Sequence, residues 1–159
     1  MTQRHDAASF GAALRQLLDR LDSPLERAYR DAGLDFRPRF TPVIRALAVD
    51  GPQTLSALSV RLGVSHSAVS QTVSQMAARD LVMVAPGRDA RERIVALGPV
   101  ATRIMPQLEQ QWDATARATA ALDRETGSVL IDAVNRANAA LATRPFRDRL
   151  LAAAGADDA

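Results

Sequence analysis

Cysteine does not occur in the chain. Its absence excludes disulfides, thiolate zinc sites, iron–sulfur ligation and thiol-based redox sensing together. Histidine is nearly absent as well: His5 and His66 are the only imidazoles, too few for a histidine-rich metal site. Lysine is missing, so all 20 basic residues are arginine. No apolar run approaches the roughly 18 residues of a membrane span. Met1 to Asp6 is polar, without the apolar stretch of a secretory leader. These absences predict a cytoplasmic protein with no metal, no cofactor and no membrane partner.

What is present is ordinary for a globular domain. The chain has 159 residues, of which 47% are hydrophobic and 24% charged. That length suits a single domain, 1–159, with a core of its own. The isoelectric point near 10.3 suggests strong basicity, but the formal net charge is only +2. Arginine does not titrate until very high pH, which inflates the isoelectric point. Residues 51–98 hold 5 arginines against 3 acids, whereas residues 99–159 hold 7 against 8. The small positive excess therefore sits mid-chain, and an arginine-only chain is also what a coding bias produces.

Apolar residues at three- and four-residue spacing, Phe10, Leu14, Leu17, Leu18, Leu21, Leu25, Ala28 and Tyr29, predict an amphipathic helix from Ala8 to Ala32. Pro24 should kink or interrupt it near Asp22–Ser23, and Gly33 should cap it. Thr41-Pro42 reads as an N-cap and first-turn proline for a second helix to about Val49. A short helix then runs from Thr54 to Leu62, Gly63 breaks it, and Ser65 caps another to about Arg79. Leu81–Val84 and Arg93–Leu97 read as two strands around the turn Pro86-Gly87-Arg88-Asp89. A long helix follows from Pro99 to Leu122 with a bend at Pro106. Asp123 caps a sixth helix, and a short helix to Ala153 precedes a frayed tail, 155–159.

Helix, glycine turn, helix and β-hairpin in that order make a winged helix-turn-helix. The predicted class is mainly α (α+β), with the wing lobe at 38–98 flanked by dimerisation helices at 1–36 and 99–154. Gly63 permits the sharp turn, Val64 plugs the gap between helices, and Ala68 and Val69 pack at their crossing. At 100° per residue, Val69, Thr72, Val73 and Met76 face inward. Ser67, Ser70, Gln71 and Ser74 then face outward, with Gln75 on the flank and Ser65 and His66 at the start. A face of serine and glutamine without acids suits base edges and phosphates: glutamine pairs adenine in bidentate fashion. The competing reading is a merely solvated polar face, which usually carries Glu, Lys or Arg. Arg88, Arg91 and Arg93 at the hairpin tip suit a narrow minor groove, with Asp89 orienting Arg91; the alternative is an ordinary solvated turn.

At these residues the sequence resembles the MarR family of bacterial transcription regulators. The likeness rests on Leu62-Gly63-Val64-Ser65-x-Ser67-Ala68-Val69-Ser70 and on Asp89-x-Arg91 in the wing. It implies a homodimer on a pseudo-palindromic double-stranded DNA operator, a repressor released by a small-molecule effector. It also implies that Ser65, Ser67, Gln71 and Ser74 meet the major groove and Arg91 the minor groove. A protein-interaction module that dimerises without binding DNA is the other reading.

Tyr29, Phe36, Phe40, Met105 and Trp112 lie on segments that, in proteins of this kind, meet around an effector pocket. Arg39 would pair an anionic, aromatic effector there. Aromatic and methionine side chains at helical spacing also suit plain core. Gly63-Val64-Ser65-His66-Ser67 superficially resembles a nucleophile elbow. It follows a helix rather than a strand and lacks the final glycine, so no catalytic site is expected.

Overall fold

The computed structural model describes residues 7–87, 89 and 92–155. The chain divides into two compact units, Met1–Trp112 and Asp113–Ala159. In the first unit, α1 (Ala7–Asp31) leads through a 3-10 turn at Pro38–Phe40 into α2 (Thr41–Asp50). Then come β1 (Gln53–Thr54), α3 (Leu55–Leu62), α4 (His66–Ala77), β2 (Val82–Pro86) and β3 (Arg93–Leu97). α5 runs Pro99–Glu125, followed in the second unit by α6 (Leu130–Thr143) and α7 (Phe146–Gly155). Among the described residues no helix is long and apolar enough to cross a membrane.

The sheet has the order β1-β3-β2 and is antiparallel throughout. Val84 pairs with Val95 across the hairpin, and Gln53 pairs with Val95 from the other side. The expected hairpin is thus a three-stranded sheet. Its third strand is two residues long, too short to carry an alternating pattern.

Beneath the sheet, Ile44 and Leu47 of α2, Leu58 of α3 and Val69, Val73 and Met76 of α4 close one core with Val95. Tyr29, Phe36 and Phe40 extend it toward α1 as an edge-to-face chain, with centroids 5.0 and 5.8 Å apart. Such contacts add to area burial.

Several local expectations are corrected. Pro24 does not interrupt α1, which runs on through it as α5 runs on through Pro106. Each proline removes one amide donor, but both are exposed, so water can take the freed carbonyl. Thr41 is not an N-cap: its φ of −51° and ψ of −48° are already helical, because the 3-10 turn runs straight into α2. Val64 does not plug the helix crossing but is 46% exposed, and Ala68 is exposed too. Ser59 Oγ instead ties the turn by donating to the Val64 carbonyl at 2.9 Å. α4 stops at Ala77 because Asp80 adopts φ +53°. The last helix continues to Gly155; residues 156–159 of the predicted tail lie outside the described residues.

Candidate nucleic-acid interface

Two caps and one glycine set the helix pair. Thr54 Oγ1 accepts from the Ala57 amide at 3.1 Å and starts α3. Gly63, at φ +64°, ends it in the left-handed region that favours glycine. Ser65 Oγ then accepts from the Ala68 amide at 3.3 Å and starts α4. With Val69, Val73 and Met76 anchored in the core, the opposite face of α4 is turned to solvent. Between His66 and Ala77 that helix carries no carboxylate and no arginine.

The hydroxyls on this face are partly committed. Ser65 Oγ lies 3.1 Å from Ser67 Oγ, and Ser74 Oγ donates to the Ser70 carbonyl at 2.8 Å. Gln71 is exposed, and its amide makes no side-chain hydrogen bond among the described residues. It keeps both a donor and an acceptor for a partner.

His66, Ser70 and Ser74 form one wall of a half-open groove of about 700 Å³, closed by Thr54, Ser56 and Arg93. The structure thus brings four of the predicted contact residues to one groove between α4 and the wing. Ser67, Gln71 and Gln75 are exposed outside it. Glu92, which the sequence reading passed over, also lines the groove. Arg88 and Arg91 lie outside the described residues.

Gln75 has a partner that sequence reasoning missed. Arg39 Nη2 donates to its Oε1 at 2.6 Å, although the two residues are 36 positions apart. Arg79 Nη1 donates to the Gln75 carbonyl at 2.8 Å. Both guanidiniums lie over the Phe40 ring, at 5.6 and 5.7 Å from its centroid. Arg79 Nε is 3.3 Å from Asp35 Oδ2, an ion-pair contact too poorly aligned to be a hydrogen bond. An arginine just past a helix end is a recognised C-terminal signal, so Arg79 was findable.

The predicted effector residues are disposed differently. Tyr29, Phe36 and Phe40 are enclosed in the core, and Met105 and Trp112 pack half-buried against it. Arg45 sits over the Trp112 indole at 5.1 Å, and Trp112 Nε1 is buried with no hydrogen-bond partner among the described residues. Arg39 is directed to Gln75. A hollow of about 540 Å³ is lined by Glu26, Arg30, Asp35, Phe36 and Arg37, so Phe36 alone of the predicted effector residues reaches it. Among the described residues no cluster of histidine and carboxylates could hold a metal ion.

Residues 37–92 match the model of the MarR family. No curated protein sequence matches the chain. Among solved structures, the transcriptional regulator MosR of Mycobacterium tuberculosis, in complex with DNA, aligns at 23% identity with a TM-score of 0.66. That alignment covers 84% of this chain and 96% of that one. PcaV of Streptomyces coelicolor, in complex with its natural ligand, aligns at 17% identity and TM-score 0.65, over 88% of this chain and 96% of that one. A cysteine-to-serine variant of Escherichia coli MarR complexed with operator DNA gives 16% identity and 0.58, over 82% and 99%. The fold is the winged helix-turn-helix of these regulators, and the likeness to the MarR family model is confined to residues 37–92.

Proposed function

We propose that the chain is a sequence-specific DNA-binding transcription regulator, a homodimeric repressor that leaves its operator when a small aromatic effector binds. The observation that carries this reading is the exposed face of α4: capped by Ser65, free of carboxylates, and set beside a groove shared with Arg93. Ser67 and Gln71 are its candidate base readers. His66, Ser70, Ser74 and Arg93 are its candidate backbone contacts, joined by Arg88 and Arg91 of the wing.

Dimerisation is supported by apolar side chains left in solvent. Phe10, Leu14, Leu18 and Leu21 form a stripe along α1, and Val134, Leu141, Phe146 and Leu150 are exposed in the second unit. A two-fold axis would bury them and space two α4 helices about 34 Å apart, one turn of DNA. Release by an effector draws support from the ligand complex of PcaV and from the unpartnered Trp112 Nε1.

The test is binding to the DNA upstream of its own gene, titrated over a range of salt. Neutralising several phosphates gives a steep loss of affinity as salt rises. Absence of sequence-preferring binding at low salt would select the other reading, a winged-helix interaction module. The lack of any arginine on α4 keeps that reading in play.

A further inference from the structure

We infer that Arg39 is a positioning residue for base recognition: it fixes the Gln75 amide so that Gln75 offers N–H donors, not its oxygen, to DNA. This rests on the DNA-binding reading above and adds a residue and a chemical preference to it.

An arginine side chain has five donors and no acceptor. Whatever faces Arg39 Nη2 at 2.6 Å must therefore be the Gln75 oxygen, and the NH₂ must point away. The orientation of the amide follows from the chemistry of its partner. The clamp is itself anchored. Arg39 lies over Phe40, which is fully buried, and Arg79 grips the Gln75 carbonyl from over the same ring. Side chain and main chain of one residue are thus tied to the α1–α2 connector. Gln75 is nevertheless exposed, so its N–H groups remain available.

The consequence is a division of labour on α4. Gln71, with donor and acceptor both free, suits adenine, whose major-groove edge offers N7 as acceptor and N6–H as donor. Gln75, presenting donors, suits an edge with acceptors only: N7 and O6 of guanine, or O4 of thymine. Glutamine at both positions would look equivalent in the sequence; Arg39 makes them different.

The experiment selects duplexes from a random-sequence pool on the wild-type chain. Every single-base variant of the winning site is then measured against wild type, Arg39→Ala, Arg39→Lys and Gln75→Ala. Arg39→Ala and Gln75→Ala should lose the same guanine or thymine preference, roughly tenfold at that position. Binding at the remaining positions and the salt slope should be unchanged, and Arg39→Lys should retain part of the preference. A uniform loss with a salt slope lower by about one would mean that Arg39 touches a phosphate itself, and would overturn the proposal. So would an Arg39→Ala variant that keeps every base preference. Thermal melting checks that each variant is folded, and Arg39→Gln repeats the test should the alanine variant not fold. If the wild-type chain selects no duplex, the DNA-binding reading fails, and this inference with it.

Discussion

Asp123 Oδ1 accepts a hydrogen bond from the Ile131 amide, eight residues further along, at 3.0 Å. Val129, the residue in the N-cap position of α6, has no side-chain cap of its own. The preceding helix thus supplies the missing acceptor, and a carboxylate at a helix N-terminus also suits the dipole. The turn that allows it passes through Gly127 at φ +81° and Ser128 at φ +58°. Asp123→Ala should cost about 1 kcal/mol, and Asp123→Asn much less. Thermal unfolding followed by circular dichroism reads the difference.

Gly98, between β3 and α5, has no room for a side chain. A Cβ there would stand 2.2 Å from the Asp80 carbonyl oxygen, which accepts from the Val100 amide, and rigid backbone rather than a flexible side chain is in the way. Gly98→Ala should therefore destabilise the wing lobe by about 3 kcal/mol, the upper end for overpacking. Gly155→Ala meets nothing within 4 Å and serves as the control. Urea unfolding of both variants tests the contrast.

How much of this could be read in advance depended on how local the cause was. The Ser65 cap and the glycine turn at Gly63 are written in short motifs and are legible in the sequence. Thr54 reads there as the first helical residue although it is the cap, and Asp123 reads as the start of α6 although it lies in α5 and caps α6 from eight residues away. Periodicity gave Val69, Val73 and Met76 as the buried face of α4. β1 was invisible, since Gln53 and Thr54 have no pattern and pair only because β3 lies beside them. Val64 misled because an apolar residue in a tight turn looks like core, whereas the turn is held by Ser59. The Arg39–Gln75 bond spans elements whose juxtaposition only the tertiary fold decides.

The exposed stripe on α1 makes assembly testable. Wild-type chain should be a dimer by light scattering at micromolar concentration. Leu14→Asp with Leu21→Asp should weaken the dimer by at least about a thousandfold, since each substitution is present in both protomers and each lost contact is worth about 2 kcal/mol. Both side chains are already more than two-fifths exposed, so the fold of the first unit should survive. A double variant that remains dimeric would move the interface elsewhere.

Trp112 is the only tryptophan, which makes its environment a spectroscopic reporter. Arg45 lies over its ring, and its Nε1 is buried without a hydrogen-bond partner among the described residues. Titration with phenolic acids should change Trp112 emission and release DNA over the same concentration range. A ligand shifts this equilibrium only through a preference for the released state. Emission that changes while operator affinity stays constant would leave a binding pocket without a switch.

Gln71 and Arg93 should fail in different ways. Gln71 stands free on the outer face of α4, able to donate and accept at once, while Arg93 closes the groove opposite His66 and Ser70. Gln71→Ala should relax discrimination at one position per half-site, costing about 1–3 kcal/mol there and little elsewhere. Arg93→Ala removes the charge proposed to meet the DNA backbone. It should weaken all sequences by a similar factor and lower the salt slope by about one. Competition binding over single-base operator variants at two salt concentrations separates these outcomes. Equal weakening of every sequence by both variants would remove Gln71 from the base readers and leave α4 a backbone-seating helix.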